Sequence, residues 1–207
     1  MTDVTESPRD LKAHLWARDE HDWYVEPRWT SMRLFQEERF SGRILDPACG
    51  KGRILDAARD VGFDTYGSDV IDRGTDGHRF SQVDWLSRPA VGWCPIDNIV
   101  SNPPFSHAEP FVRKALEHAS GKVAMLLPSK WLHGDERSRW LQGTPLRRVL
   151  FLTPRPSMPP GGVLDAGQSP GGGRVDFAWF IWLKGFDGRP EIGWLRRDVD
   201  KPEKTGV

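Results

Sequence analysis

Arg43-Ile44-Leu45-Asp46-Pro47-Ala48-Cys49-Gly50-Lys51-Gly52 runs directly into Arg53-Ile54-Leu55-Asp56-Ala57-Ala58-Arg59-Asp60-Val61. A short aliphatic run, a turn holding one proline and two glycines, and then Ile54, Leu55, Ala57, Ala58 and Val61 at helical spacing read as strand, turn, helix. Gly62 is placed to close that helix as its C′ residue. Working outward, residues 63–69, 79–83, 96–100 and 122–127 read as further strands, and 107–119 and 134–141 as helices. Strands alternating with helices imply a parallel α/β sheet. Residues 147–152 and 175–183 follow as two strands joined by a loop without a helix, so they are expected to pair antiparallel as a hairpin at one edge. In an open parallel sheet ligands bind beyond the carboxyl ends of the strands. Asp46, Asp69, Asp84, the loop after Val100 and the loop after Leu127 therefore belong to one rim.

With 207 residues, 38% hydrophobic and 28% charged, the composition is globular and fits one domain spanning 1–207, with its core at about 20–185 and a polar tail at about 198–207. The start of the chain lacks the basic and apolar regions of a signal peptide, and no apolar run reaches the roughly 18 residues of a spanning helix, so a cytoplasmic protein is expected. Cys49 and Cys94 lack a CxxC partner or a nearby His cluster, which argues for small buried fillers rather than a metal site. A formal net charge of zero excludes indiscriminate nucleic-acid binding by the whole surface. Between 137 and 155 there are five arginines and no acid, either a phosphate-binding strip or a solvated face. Among ten tryptophans, Trp179, Trp182 and Trp194 stand in apolar, strand-like surroundings and are expected in the core. The segment 153–174, dense in Pro and Gly, reads as a long irregular loop.

The turn after Asp46 has neither GxGxxG nor GxxxxGK[ST] spacing, so a ligand without phosphates suits it better than a dinucleotide or a nucleoside triphosphate. Gly50 and Gly52 allow close backbone approach, and the Asp46 carboxylate can hold or bridge to the ammonium of S-adenosylmethionine. Asp69, ending the next strand, is placed for ribose hydroxyls, and Asp84 for an adenine amine with Trp85 against the ring. Each acid alone is an ordinary turn or cap residue; three at successive strand ends describe a nucleoside site.

Ser101-Asn102-Pro103-Pro104-Phe105 follows the fourth strand. The two prolines have fixed φ and no N–H, so the segment is a stiff loop end with outward acceptors. The Asn102 side-chain oxygen and the Pro103 carbonyl can accept both hydrogens of one amino group, and the Phe105 ring offers a stacking face. A plain Pro-Pro turn leaving a buried strand is the competing reading of these five residues.

DPACGKG and SNPPF together, in this order, resemble the S-adenosylmethionine-dependent adenine-N6 DNA methyltransferases. The resemblance implies a Rossmann-like class I methyltransferase fold: a central seven-stranded, mostly parallel sheet with an antiparallel carboxyl-terminal hairpin edge and helices on both faces. It carries S-adenosyl-L-methionine as cofactor, held by Tyr24, Pro27, Asp46, Pro47, Ala48, Cys49, Gly50, Asp69, Val70, Asp84, Trp85 and Asn102. Asn102, Pro103, Pro104 and Phe105 match the catalytic loop, where Ser101 replaces the commoner Asp or Asn. Residues 21–27 look like the segment that closes over the methionine end, with Glu26 where such enzymes often show Thr.

The expected chemistry draws a ring-conjugated amine toward tetrahedral geometry in line with the sulfonium methyl, and needs no metal. A duplex adenine would have to flip out, with Phe105, and Trp131 on the same rim, as stacking surfaces. Ser101 and Lys130 complete the expected substrate contacts, and Arg155 and Arg174, on a loop emerging at the rim, are candidates for phosphates. DNA is the expected partner. Methyltransferases of ribosomal RNA bases or of protein glutamine, and a catalytically silent binding module, are the alternatives.

Overall fold

The computed structural model describes residue 19 and residues 21–75, 77–87 and 96–198. In chain order the elements are α1 (Arg28–Glu37), β1 (Ile44–Asp46), α2 (Arg53–Asp60), β2 (Thr65–Asp69), β3 (Arg79–Gln82), β4 (Asn98–Ser101), α3 (Ala108–His118), β5 (Lys122–Pro128), α4 (Asp135–Gln142), β6 (Leu146–Thr153), α5 (Gly161–Asp165), β7 (Phe177–Leu183) and β8 (Glu191–Arg196). They build one eight-stranded sheet in the order β3-β2-β1-β4-β5-β7-β6-β8. β1 to β5 run parallel to one another, and β7 runs antiparallel between β5 and β6. β6 is thereby parallel to the first five strands, and its end reaches the same rim as Asp46.

The strands and helices expected at the first rim are present within one or two residues, the usual uncertainty of element ends. Gly62, at φ 93, takes the left-handed conformation expected after α2. Four details differ. The sheet has eight strands rather than seven, because Glu191–Arg196 adds β8 parallel to β6. The antiparallel pair is therefore not an edge: β7 is inside the sheet and β6 is covered by β8. The β6–β7 connection contains a helical turn, α5, too short to leave a periodic signal. α1, whose buried face is Thr30, Ser31, Leu34 and Phe35, is an element the apolar spacing did not announce.

All seven residues of β5 are buried, as befits a central strand covered on both faces. Val123, Met125 and Leu127 join Phe111, Val112 and Ala115 of α3 and Leu141 of α4 on one face. Ala124 and Leu126 join Leu34 and Phe35 of α1 and Ile54, Ala57 and Ala58 of α2 on the other. Trp179 and Trp182 of β7 are wholly buried, one in each layer. Trp194 is not core: it is 65% exposed on β8, with Phe151 stacked beside it. Cys49 is a free, buried thiol, while Cys94 lies outside the described residues. Four of the five arginines from 137 to 155 meet carboxylates: Arg137 with Glu109, Arg139 with Asp135, Arg148 with Glu37 and Glu38, and Arg155 with Asp176. That stretch is a set of ion pairs, one within α4 and three to other parts of the chain, rather than a row of open cations. Among the described residues no helix is long and apolar enough to cross a membrane.

Candidate active site

β1 ends on Asp46, 1% exposed, whose Oδ1 accepts the Ser101 hydroxyl at 2.7 Å and the Ala48 amide at 3.1 Å. The two strand ends are thus tied together beneath the rim. The following turn reverses through Gly50 at φ 53, where an added Cβ would stand 2.8 Å from Trp23 Nε1. Gly50 N donates to Asp69 Oδ2 at 2.9 Å, so the acid ending β2 also holds the turn. Asp69 Oδ1 accepts from Ile71 N at 3.0 Å. Asp84, past β3, accepts from Leu86 N at 2.9 Å and is exposed. Trp85 is buried, with the Lys114 ammonium donating to its carbonyl at 2.5 Å.

These ends surround a cavity of about 390 Å³. Its wall includes Tyr24, Asp46, Pro47, Ala48, Cys49, Gly50, Asp69, Val70, Asp84, Trp85, Asn102 and Pro104, which brings together every expected cofactor residue except Pro27. Pro27 instead starts α1, its carbonyl accepting from Thr30 N at 3.0 Å and Thr30 Oγ1 at 2.8 Å. Val70 is 54% exposed, an apolar side chain left uncovered where it joins the cavity wall.

Asn102 is the polar group most sharply defined. Its Nδ2 donates to the Tyr24 carbonyl at 2.8 Å and to Glu26 Oε2 at 3.0 Å, while its buried Oδ1 has no partner among the described residues. Pro103 is buried and outside the cavity wall. The Phe105 ring stacks on Tyr24 at 5.7 Å with planes 10° apart and tilts against Phe177 at 5.6 Å. One face expected for a base is therefore already occupied by Tyr24.

The expected substrate residues do not gather in the cavity. Ser101 is wholly buried at Asp46. Trp131 is 7% exposed and packs edge-on against Trp140, Phe180 and Trp182, so it is part of the core under α4. Lys130 and Arg174 are exposed and outside the cavity wall, and Arg155 pairs with Asp176 at 2.6 Å.

No family model matches the chain, and no curated protein matches it. Solved structures do. A Listeria monocytogenes protein described as a class I S-adenosylmethionine-dependent methyltransferase superimposes with TM-score 0.59 at 14% identity, covering 94% of this chain and 71% of that one. The chain has the class I methyltransferase fold. The 23S rRNA methyltransferase ErmE is similar at TM-score 0.55 and 13% identity, over 79% of this chain and 70% of that one. A Pyrococcus horikoshii protein described as an RNA methyltransferase is similar at TM-score 0.54 and 16% identity, over 76% and 81%.

What the sequence did not announce is the partner of the 21–27 segment. Val25 N donates to Pro159 O at 2.9 Å and Gly161 N to Trp23 O at 2.9 Å, with a bridge between Tyr24 and Pro160. Residues 23–25 and 159–161 are thereby zipped together beside the cavity, to which Trp23, Gly161, Leu164 and Asp165 contribute. Lys51 pairs with Asp165 at 2.6 Å, and the Arg73 guanidinium lies 4.1 Å from the Trp23 ring centre. The Pro-Gly-Gly sequence at 160–162 was the available signal, since an added Cβ on Gly161 would collide with the Trp23 ring, 2.3 Å from its nearest atoms. Glu26, 5% exposed and on the cavity wall, is the other residue whose part the sequence did not show.

Proposed function

We propose that this chain transfers a methyl group from S-adenosylmethionine to the exocyclic N6 amine of adenine in DNA. The observation that carries the reading is Asn102: both donor directions of its amide are taken, leaving a buried acceptor without a partner. A buried unpaired acceptor costs on the order of 1–3 kcal/mol, and an incoming N–H relieves it.

The cavity suits the cofactor. Glu26, Asp46 and Asp69 are buried carboxyls on its wall, and a ligand carrying positive charge eases their mutual repulsion. Val70 and the Gly50 turn offer an apolar contact and a close backbone approach for a flat ring. When bound, S-adenosylmethionine supplies an electrophilic methyl group on a sulfonium. The residues do the rest by position and charge. Asn102 Oδ1 accepts a hydrogen of the amine, drawing its lone pair out of conjugation and stabilising the positive charge that grows on nitrogen. Pro103 and Pro104 stiffen the backbone that carries Asn102, because their φ angles are fixed. The nitrogen–methyl bond forms as the sulfur–methyl bond breaks, and the amine then gives up one proton to solvent. The Tyr24–Phe105 stack must open if a base is to lie on Phe105.

Transfer to an RNA base is the second reading, favoured by the likeness to the 23S rRNA methyltransferase ErmE. The DPACGKG and SNPPF pair favours DNA adenine. Incubating the protein and methyl-labelled cofactor with unmethylated duplex DNA, single-stranded DNA and total RNA, followed by mass spectrometry of nucleosides, separates them. N6-methyladenine is expected in DNA and is abolished by Asn102→Ala with cofactor binding retained. Label only in RNA selects the second reading, and undiminished transfer by Asn102→Ala overturns the mechanism.

A further inference from the structure

We propose that Glu26 is a positioning residue that fixes which end of the Asn102 amide faces the reacting amine; this rests on the methyl-transfer reading above. An asparagine amide is nearly symmetric in shape, and only its partners decide where its oxygen points. Two acceptors face its nitrogen side here, the Tyr24 carbonyl at 2.8 Å and Glu26 Oε2 at 3.0 Å. Turning the amide over would set Oδ1 against both of them, and Nδ2 would take the place where no acceptor waits. The Tyr24 carbonyl is backbone and is supplied whatever the sequence. Glu26 is the part of this clamp that depends on a side chain.

Its chemistry fits the task. An ionised carboxylate only accepts, whereas a hydroxyl in its place could donate as well and would hold either orientation of the amide. Glu26 is 5% exposed, and burial pushes its carboxyl above the usual range, opposed by its hydrogen bonds, Asn102 among them, and by the Arg53 charge. Arg53 Nη1 also reaches the Glu26 carbonyl at 3.4 Å. A buried acid beside Asp46 and Asp69 costs stability, and among the described residues the side-chain group it binds is the amide of the catalytic loop. Glu26 lies on the nitrogen side of Asn102, opposite the free oxygen, so it acts through Asn102 and not on the amine.

The experiment compares the full-length wild type with Glu26→Gln and Glu26→Ala. Solvent exchange of the Asn102 side-chain amide hydrogens is read by nitrogen-15 NMR without cofactor, the signal being assigned by its loss in Asn102→Asp. Cofactor affinity is read by calorimetry, and kcat by nucleoside mass spectrometry. The expected result is slowed exchange in the wild type, at least about tenfold faster exchange of one hydrogen in Glu26→Ala, and kcat lowered about 10- to 100-fold with affinity nearly kept. Glu26→Gln, whose side chain can accept or donate and so holds either orientation, should restore only part of the slowed exchange and of kcat, falling between the wild type and Glu26→Ala. Unchanged exchange and kcat in Glu26→Ala overturn the proposal. So does an equal loss in both variants accompanied by weakened cofactor binding, which would make Glu26 a direct cofactor ligand. If the wild type methylates no nucleic acid while the exchange pattern holds, the substrate reading falls and the clamp stands.

Discussion

Asp46 is the residue whose charge state the fold disturbs most clearly. Burial pushes its carboxyl up to about 8 from 3.8, with the Glu26 and Asp69 charges adding to the rise and the Ser101 and Ala48 hydrogen bonds opposing it. Between those values the folded protein holds a proton that the unfolded chain has released, so this group's contribution is fully present below about pH 4 and is lost as pH rises through about 8. The Tm of the cofactor-free wild type, measured relative to that of Asp46→Asn, should fall between pH 5 and 8 and level off above; a difference independent of pH contradicts this account. Asp46 and Asn102 were readable in the sequence because each follows an apolar run that becomes a strand, and Asp69 because a strand was expected to end on it; a strand end in a parallel sheet has one destination. Ser101 and Trp131 were not, because what buries them comes from far along the chain: Asp46 for the first, Phe180 and Trp182 for the second.

At the scale of elements, the cover over the cavity is joined by backbone. Residues 23–25 and 159–161 meet through main-chain hydrogen bonds, and Trp23 fills the space between Gly50 and Gly161. A Cβ at either glycine collides with the indole. Gly161→Ala should therefore displace Trp23 and weaken S-adenosylmethionine binding by about tenfold, at a stability cost of about 1–3 kcal/mol, as forcing a methyl group into a filled, buried contact does. Calorimetric titration and urea unfolding of the same sample check both halves, and an unaltered affinity would remove Trp23 from the cover's function. Parallel β6 told where the 153–174 segment would emerge, and its Pro and Gly content told that it would be irregular. Its partner left one mark in the sequence, the glycine at 161 that makes room for Trp23; the main-chain pairing itself leaves no mark on side-chain identity.

Across the whole molecule, two apolar layers are joined through the sheet, and β7 contributes a fully buried tryptophan to each. Trp179 also donates its Nε1 to the Thr30 carbonyl at 3.1 Å, fastening β7 to α1. Trp179→Ala should cost about 3–5 kcal/mol in urea unfolding, whereas Trp194→Ala, at a residue 65% exposed, should stay within about 0.5 kcal/mol. Equal effects would mean that the packing described for β7 is wrong. The two residues look alike in sequence, each a tryptophan in an apolar run, and only the neighbours of β7 and the open side of β8 separate them. The alternation of strands and helices was legible through β6; the eighth strand was not, because only Leu195 of it is buried and its pattern carries little of the usual strand signal. The place of β7 between β5 and β6 has a consequence for how the protein is made. At about 5 to 20 residues per second, a ribosome needs on the order of 2 to 10 seconds to go from the end of β5 to the start of β7. Throughout that interval the nascent chain carries β5 with one edge bare and apolar, a surface that invites chaperones or a neighbouring polysome's product. The 159–161 side of the cavity's cover hangs between the two latecomers, so the cavity is complete only after synthesis of β7.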